Sequence, residues 1–406
     1  MNGSQTYVIV GAGLAGVKAA EALRSEGSTD RIVLIGEEPH HPYERPPLSK
    51  SYLQGAEERA SVFVHAPEWF VEQGIEVRLG VAVTAVDRVA GEVALADGAR
   101  VGYDALLLAT GSRPRRLEVP GADLAGVRYL RTLDEADALK ASLAAARRVA
   151  VIGGGWIGLE VAAAARLAGR EVTVIEQAPL PLQRALGPEV AAVFADLHRE
   201  HGVDLRCDAT IGRFLGTGGA LVGVELADGT RVDADLAVVG VGIIANTEIA
   251  QACGLDVSDG IRVDQHLRTS DPRIYAAGDV ADAHHPILGR HIRVEHWANA
   301  LRQGPVAARS MLGLDAAYTR LPFFYTDQYD LGMEYIGYAP TGSEVLIRGD
   351  VAARRFVAFW TSGDRVLAGM HVNVWDATEP IEDLILSGRE VDVGRLADAD
   401  IPIAEV

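Results

Sequence analysis

The sequence predicts an α/β protein built from two Rossmann-like dinucleotide-binding domains and a small α+β C-terminal domain. Three observations carry that prediction. A strand, a glycine turn and an Ala-rich helix occur twice, 142 residues apart. Each copy runs on into a second apolar strand that closes on a glutamate. After residue 320 the pattern changes to short alternating segments typical of an antiparallel sheet.

The first copy opens with Thr6-Tyr-Val-Ile-Val10, an apolar run that leads into Gly11-Ala-Gly13-Leu14-Ala15-Gly16. Val17, Ala20 and Leu23 then fall at helical spacing, and Arg31-Ile-Val-Leu-Ile35 closes on Glu37. The second copy reads Arg148-Val-Ala-Val-Ile152, Gly153-Gly-Gly155-Trp156-Ile157-Gly158, a helix over Leu159 to Leu167, and Glu171-Val-Thr-Val-Ile175 closing on Glu176. The glutamates lie 21 and 18 residues after the last glycine of each turn. Nucleotide chemistry explains this grammar. The first glycine makes the turn, the second lets a pyrophosphate reach the backbone, and the third lets helix and strand pack closely. Free N–H groups at the helix start hold the phosphates, and the carboxylate accepts from ribose hydroxyls. At Glu176 that carboxylate repels a 2′-phosphate and selects NADH over NADPH, although Arg184 nearby sits on either a phosphate or the adenine.

Tyr103-Asp-Ala-Leu-Leu-Leu108 is a buried-strand run ending in Ala109-Thr110-Gly111-Ser-Arg-Pro114. Asp235-Leu-Ala-Val-Val239 runs into Gly240-Val-Gly242 in the same way, and Arg273-Ile-Tyr-Ala-Ala277 leads to Gly278-Asp279. Asp279 has two readings, a helix N-cap or a carboxylate gripping a sugar-alcohol chain beside a phosphate site. The expected boundaries are 1–110 with 245–320 for the first nucleotide domain, 111–244 for the second and 321–406 for the third. In the third, Leu321-Pro-Phe-Phe-Tyr325, Val345–Arg348, Arg355–Trp360 and Val366–Met370 read as strands. Trp360-Thr-Ser-Gly363-Asp reads as a hairpin turn, and Ile381–Leu386 as a closing helix.

Composition excludes several classes. The chain has 406 residues, 49% apolar and 23% charged, which fits a folded enzyme rather than a disordered segment. With 38 basic and 56 acidic residues the net charge is −18, so nucleic acid is not an expected partner. No apolar run is long enough to span a bilayer. Met1 to Gly13 shows neither a basic n-region nor a cleavage site, and the reading is cytoplasmic. Cys207 and Cys253 lie 46 residues apart and form no CxxC, which leaves neither a disulfide scaffold nor a thiol pair. The eleven histidines show no ligand spacing, and no metal site is expected. Charge is unevenly spread. Asp376 to Val406 hold nine acids and two arginines, whereas Arg290, Arg293, Arg302 and Arg309 face a single acid, Glu295, between Gly289 and Arg309.

The whole chain resembles the two-dinucleotide flavoproteins of glutathione reductase fold, and among them the NADH-dependent ferredoxin reductases that serve P450 and Rieske oxygenase systems. The likeness rests on the first glycine turn, Arg45-Pro-Pro-Leu-Ser-Lys50, Ala109-Thr-Gly111, Tyr129-Leu-Arg131-Thr and Gly153-Gly-Gly-Trp-Ile-Gly-Leu-Glu160. Tyr275-Ala-Ala-Gly-Asp279, Val294-Glu-His-Trp297-Ala-Asn299 and Thr326-Asp-Gln-Tyr329 complete it. It implies FAD in the first copy, contacted by Gly11, Gly13, Leu14, Ala15, Gly16, Glu37, Arg45, Lys50, Val83, Ala109, Thr110, Gly111, Arg131, Gly278, Asp279, Glu295, His296 and Trp297. It implies NADH in the second, contacted by Gly153, Gly155, Trp156, Ile157, Gly158, Glu160, Glu176, Arg184 and Gly242. Lys50 and Glu160 are the implied catalytic pair, an ammonium beside the flavin held by a carboxylate, although Lys50 taken alone reads as a surface lysine.

The implied reaction is hydride transfer from NADH to FAD, then release of single electrons to an iron–sulfur ferredoxin. The disulfide reductases of this fold carry CxxxxC, and the related oxidases a single cysteine, where this chain has His41-Pro-Tyr-Glu-Arg-Pro-Pro-Leu-Ser49-Lys50. The arginines at 290, 293, 302 and 309 read either as the ferredoxin's docking patch or as a solvated face. A rubredoxin- or nitrite-reductase-type donor, an NADH oxidase, and a signalling module resembling apoptosis-inducing factor are the competing readings. The expected state is a monomer or weak dimer.

Overall fold

The computed structural model describes residues 5–406; Met1–Ser4, part of the N-terminal stretch read above, lie outside the described residues. The chain forms two compact units. One contains the residues up to Glu44, Arg59–Arg113 and Ile243–Arg320; the other contains Arg45–Glu58, Pro114–Gly242 and Leu321–Val406.

The first unit is built on a five-stranded parallel sheet in the order Ile274–Ala276, Ala105–Leu108, Thr6–Val10, Arg31–Ile35, Ile75–Arg78. Val10 is in register with both Ile35 and Leu108. The opening strand therefore lies in the middle, and the chain crosses from it in opposite directions. That is the switch point of an open α/β sheet, where a crevice forms beyond the strands' carboxyl ends. Helices cover the sheet, so its central strands are apolar on both faces instead of alternating, and Val8, Ile9, Val33, Leu34, Leu106 and Leu107 are all fully buried. The helices Leu14–Ser25 and Trp297–Met311 lie close enough that a Cβ on Gly304 would sit 2.5 Å from the Ala15 carbonyl oxygen.

The second unit repeats this plan in the order Asp204–Arg206, Glu171–Ile175, Arg148–Ile152, Leu236–Val239, Val127–Arg128, again all parallel. Its C-terminal part is an antiparallel sheet in the order Phe323–Gln328, Leu331–Gly337, Arg365–Val372, Arg355–Ser362, Glu344–Asp350. Met333, Phe356, Ala358 and Met370 of that sheet share one apolar core with Leu159, Phe194 and Leu197. The hairpin expected near Gly363 is present, with Gly363 at φ 56°. The helix Thr378–Ser387 closes the sheet by packing Ile381 onto Gly369, where no side chain fits. No helix among the described residues is long and apolar enough to cross a membrane.

Candidate active site

Each glycine turn follows the middle strand of its sheet, and its three glycines have different reasons to be there. Gly11 has φ +115°, and a Cβ on it would drive into the Ala109 carbonyl oxygen. A Cβ on Gly16 would strike the Gly11 carbonyl in the same way. The chain's own packing demands both. Gly13 is different: its φ of −86° suits any residue, and a Cβ there would meet nothing within 4 Å. Nothing in the protein requires a glycine at that point. A ligand brought against the backbone would give the glycine a reason, and the helix Leu14–Ser25 starts there without a side-chain cap on its N–H groups.

The second turn repeats the division of labour. Gly153, at φ +101°, is hemmed in by the Gly240 carbonyl and Gly158 by that of Gly153, while Gly155, at φ −79°, faces open space. Both turns thus fit a pyrophosphate on grounds independent of motif matching. Glu176 follows the second strand directly. Its Oε2 accepts from Gly154 N–H at 2.6 Å and its Oε1 from Ala178 N–H at 2.7 Å. Register makes Gly36, not Glu37, the counterpart of Glu176, because Ile35 pairs with Val10 as Ile175 pairs with Ile152. Glu37 lies one residue further on and is exposed. Arg184 is exposed on the short helix Gln183–Leu186, and Trp156 leans its ring on Phe194 and Phe324 at centroid distances of 5.8 and 5.0 Å. Ile157 is 44% exposed, and Gly242 has φ +103°.

Around the first turn, Thr110 Oγ1 donates to the Asn246 carbonyl at 2.7 Å, and Asn246 Nδ2 returns a bond to the Thr110 carbonyl at 2.8 Å. Gly111 has φ +64°, and Val83 is buried at the start of the strand Val83–Asp87. Asp279 is buried and accepts from Ser112 Oγ at 2.7 Å, beside a Gly278 held by Gln303. The N-cap reading of Asp279 is overturned, because the next element is the strand Ala281–His285, not a helix. Trp297 begins a helix that His296 caps, its Nδ1 accepting from Ala298 N–H at 3.2 Å. In the arginine-rich stretch, Arg293 is turned inward between Asp259 (3.0 Å) and Glu295 (2.5 Å), and Arg309 pairs with Glu26 at 3.3 Å.

In the second unit, Lys50 and Glu160 meet as an ion pair at 2.8 Å, the lysine side chain 17% exposed and the carboxylate buried at 3%. The short 3₁₀ turn Pro46–Ser49 presents Lys50, and the helix that starts at the second glycine turn presents Glu160. An isolated carboxylate this deep would be costly, and it is satisfied on every side. Ser49 Oγ donates to its Oε2 at 2.5 Å and Thr326 Oγ1 to its Oε1 at 2.7 Å. Arg45, also in this unit, donates to the Arg131 carbonyl. Ser49 and Thr326 fall within the motifs named above, but nothing in those motifs marks them for a role. They lie 111 and 166 residues from Glu160, and no local pattern reports such a meeting.

Residues 5–304 match the pyridine nucleotide-disulphide oxidoreductase family, and residues 323–406 match the reductase C-terminal family. The chain belongs to the pyridine nucleotide-disulphide oxidoreductase family. It is 45% identical over 400 residues to the ferredoxin–NAD(+) reductase component of the anthranilate 1,2-dioxygenase system of Burkholderia cepacia, covering 97% of each chain. It is 39% identical over 411 residues to putidaredoxin reductase of Pseudomonas putida, covering 100% of this chain and 97% of that one. Among solved structures, the covalent putidaredoxin reductase–putidaredoxin complex matches with a TM-score of 0.96 at 39% identity, over 100% of this chain and 98% of the other.

Proposed function

We infer that this chain is an FAD-dependent NADH:ferredoxin reductase feeding an oxygenase of the P450 or Rieske type. The observation that carries the reading is the doubled glycine turn, in which Gly13 and Gly155 leave open space beside helix starts that no side chain caps. The first unit then holds FAD, through the turn at Gly11–Gly16, Thr110, Asp279 and Trp297, with Glu37 reaching the adenosine ribose. The second holds NADH through Gly153–Gly158, with Glu176 on the ribose.

When bound, the flavin supplies the ability to take a hydride from reduced nicotinamide and return single electrons. The chain's own residues bind, orient and set charge. The Glu176 carboxylate, fixed by two backbone N–H groups, accepts from ribose hydroxyls and repels a 2′-phosphate. Lys50 offers an ammonium to negative charge developing during reduction, and Glu160 holds it there. A sulfur relay has no residues to run on. Both cysteines are free, they lie in different units, and burial pushes both thiols up, away from the reactive thiolate. Electrons must therefore leave for an external acceptor, and the relatives' ferredoxin partners supply its chemical class. The cytoplasm suits unpaired thiols.

Anaerobic titration with NADH should bleach the visible flavin spectrum, and cytochrome c reduction should accelerate only when an iron–sulfur ferredoxin is added. A colourless purified protein, or reducing equivalents trapped on a cysteine, would overturn the reading.

A further inference from the structure

We propose that Thr326, Gln328 and His198 form a positioning chain that keeps the Glu160 carboxylate aimed at Lys50. The inference rests on the reading of Lys50 and Glu160 as the working pair. It is a claim about how the second unit fixes the geometry of that pair.

The chain is continuous and closed to water. Thr326 Oγ1 donates to Glu160 Oε1 at 2.7 Å, Gln328 Nε2 donates to Thr326 Oγ1 at 3.2 Å, and His198 Nε2 meets Gln328 Oε1 at 2.9 Å. Thr326, Gln328 and His198 are 0%, 1% and 0% exposed. Thr326 and Gln328 sit two apart on one strand, so both side chains point to the same face. His198 reaches them from the helix Pro188–Glu200.

With the Gln328 amide turned so that its nitrogen faces Thr326, the donor and acceptor inventory gives each bond its direction. The Gln328 carbonyl oxygen can only accept, so the His198 proton sits on Nε2. The Gln328 amide then donates to Thr326, whose single hydroxyl proton is left for Glu160. Ser49 Oγ and Lys50 Nζ also donate to the same carboxylate. Every member therefore points its proton at Glu160. Thr326 and Lys50 thus meet the same oxygen, Oε1, and fix the direction in which the carboxylate faces. Lys50 at 2.8 Å and Asp327, on the opposite face of the strand, are the charged groups that act across this carboxylate.

His198 shows that direction, not packing, is the purpose. Its Nδ1 is buried and has no hydrogen-bond partner among the described residues, and burial pushes the imidazole down to about 4, so it stays neutral. A leucine would fill this space without that cost. What the imidazole adds is an N–H that only donates.

Thr326→Val keeps the shape and removes the proton, whereas Thr326→Ser keeps the proton. Two measurements on the flavin-loaded enzyme decide the matter. In the infrared, Thr326→Val should shift the carboxylate stretching bands assigned to Glu160 by their loss in Glu160→Gln; Thr326→Ser should keep them where wild type has them. In stopped flow, Thr326→Val should lower the limiting rate of flavin reduction by NADH roughly 10-fold, with a smaller loss in the same direction for His198→Phe and restoration in Thr326→Ser. Wild-type spectra and rates in both Thr326→Val and His198→Phe would overturn the chain while leaving Lys50 in place. An unaffected Lys50→Ala would instead overturn the reading beneath it, and the infrared result would still decide whether the chain holds Glu160.

Discussion

The two nucleotide units share one backbone plan and solve one local problem in opposite ways. In the second, Glu176 occupies the first position after its strand, and the residue it faces, Gly154, has no side chain. In the first, the equivalent position is Gly36, and Ala12 stands where Gly154 does; a Cβ on Gly36 would lie 2.6 Å from that of Ala12. One unit thus places a carboxylate hard against the turn, held by two backbone N–H groups, while the other fills the same space with a methyl and carries its acid, Glu37, exposed one residue later. On the proposed assignment the parts that would face the phosphates are alike and those that would face the ribose are not, so the residue after the second strand is where the two sites would differ in choice of dinucleotide.

The largest effects should come from separating the structural glycines from the ligand-facing ones. Gly11→Ala and Gly153→Ala meet both a strained φ and a backbone oxygen, and neither protein should fold. Gly13→Leu should fold and purify without flavin, read as lost visible absorbance at an unchanged far-ultraviolet spectrum. Gly155→Leu should keep its flavin yet fail to be reduced at ordinary NADH concentrations. If both leucine variants lost flavin alike, the assignment of FAD to the first unit and NADH to the second would break.

Acid should then weaken the second unit through His198. Its pKa lies near 4 in the folded chain against about 6.5 when unfolded, so the unfolded state binds more protons between those values. The stability that the neutral imidazole contributes is fully present above about pH 6.5 and is lost as pH falls toward 4, by up to about 3 kcal/mol. Denaturant midpoints measured from pH 8 to pH 4 should show this slope in wild type and a flatter one in His198→Gln. Parallel slopes would show that the imidazole titrates freely.

Much of this plan could be read from sequence because its evidence is contiguous. A strand, its turn and its helix adjoin, so Gly11–Gly16 and Gly153–Gly158 announce themselves within a dozen residues. The antiparallel excursions at 83–102 and 211–233 were not read, and neither was the strand Leu331–Gly337, where glycines at both ends interrupt any alternation. The environment of Glu160 was invisible for a different reason. Ser49, Thr326, Gln328 and His198 are ordinary polar residues in their own neighbourhoods, and only the packing of the C-terminal sheet into the second unit's core brings them together. Asp279 stays open between two readings in the sequence because an acid after a strand looks the same whether a helix or another strand follows.

The ribose-facing difference supports a smaller, sharper test. Glu176→Gln removes the charge and, because its amide nitrogen cannot accept, keeps only one of the two backbone hydrogen bonds, so the preference for NADH over NADPH should fall by roughly 10-fold in kcat/KM. The gain should lie in the NADPH value. An unchanged ratio would place discrimination elsewhere, with Arg184 as the next residue to alter.

The smallest effect concerns charge, where the units also differ. The first carries Arg290, Arg302 and Arg309 within one stretch, while the second ends in a segment holding nine acids against two arginines. An acidic ferredoxin approaching a chain of net charge −18 would be steered by the local field, not by the total. Arg293 adds little to that field because two carboxylates, Asp259 and Glu295, flank it, and Arg309 adds less than a free arginine because it pairs with Glu26. Arg302→Glu with Arg309→Glu should therefore lower ferredoxin reduction about 5-fold at low salt, an effect that fades as salt rises, while ferricyanide reduction is spared. Asp398→Lys with Asp400→Lys in the second unit makes the same size of charge change with the opposite sign and should leave ferredoxin reduction near its wild-type rate. Equal loss with both acceptors, or an acceleration in the tail variant matching the loss in the arginine variant, would mean that net charge rather than a docking face governs the encounter.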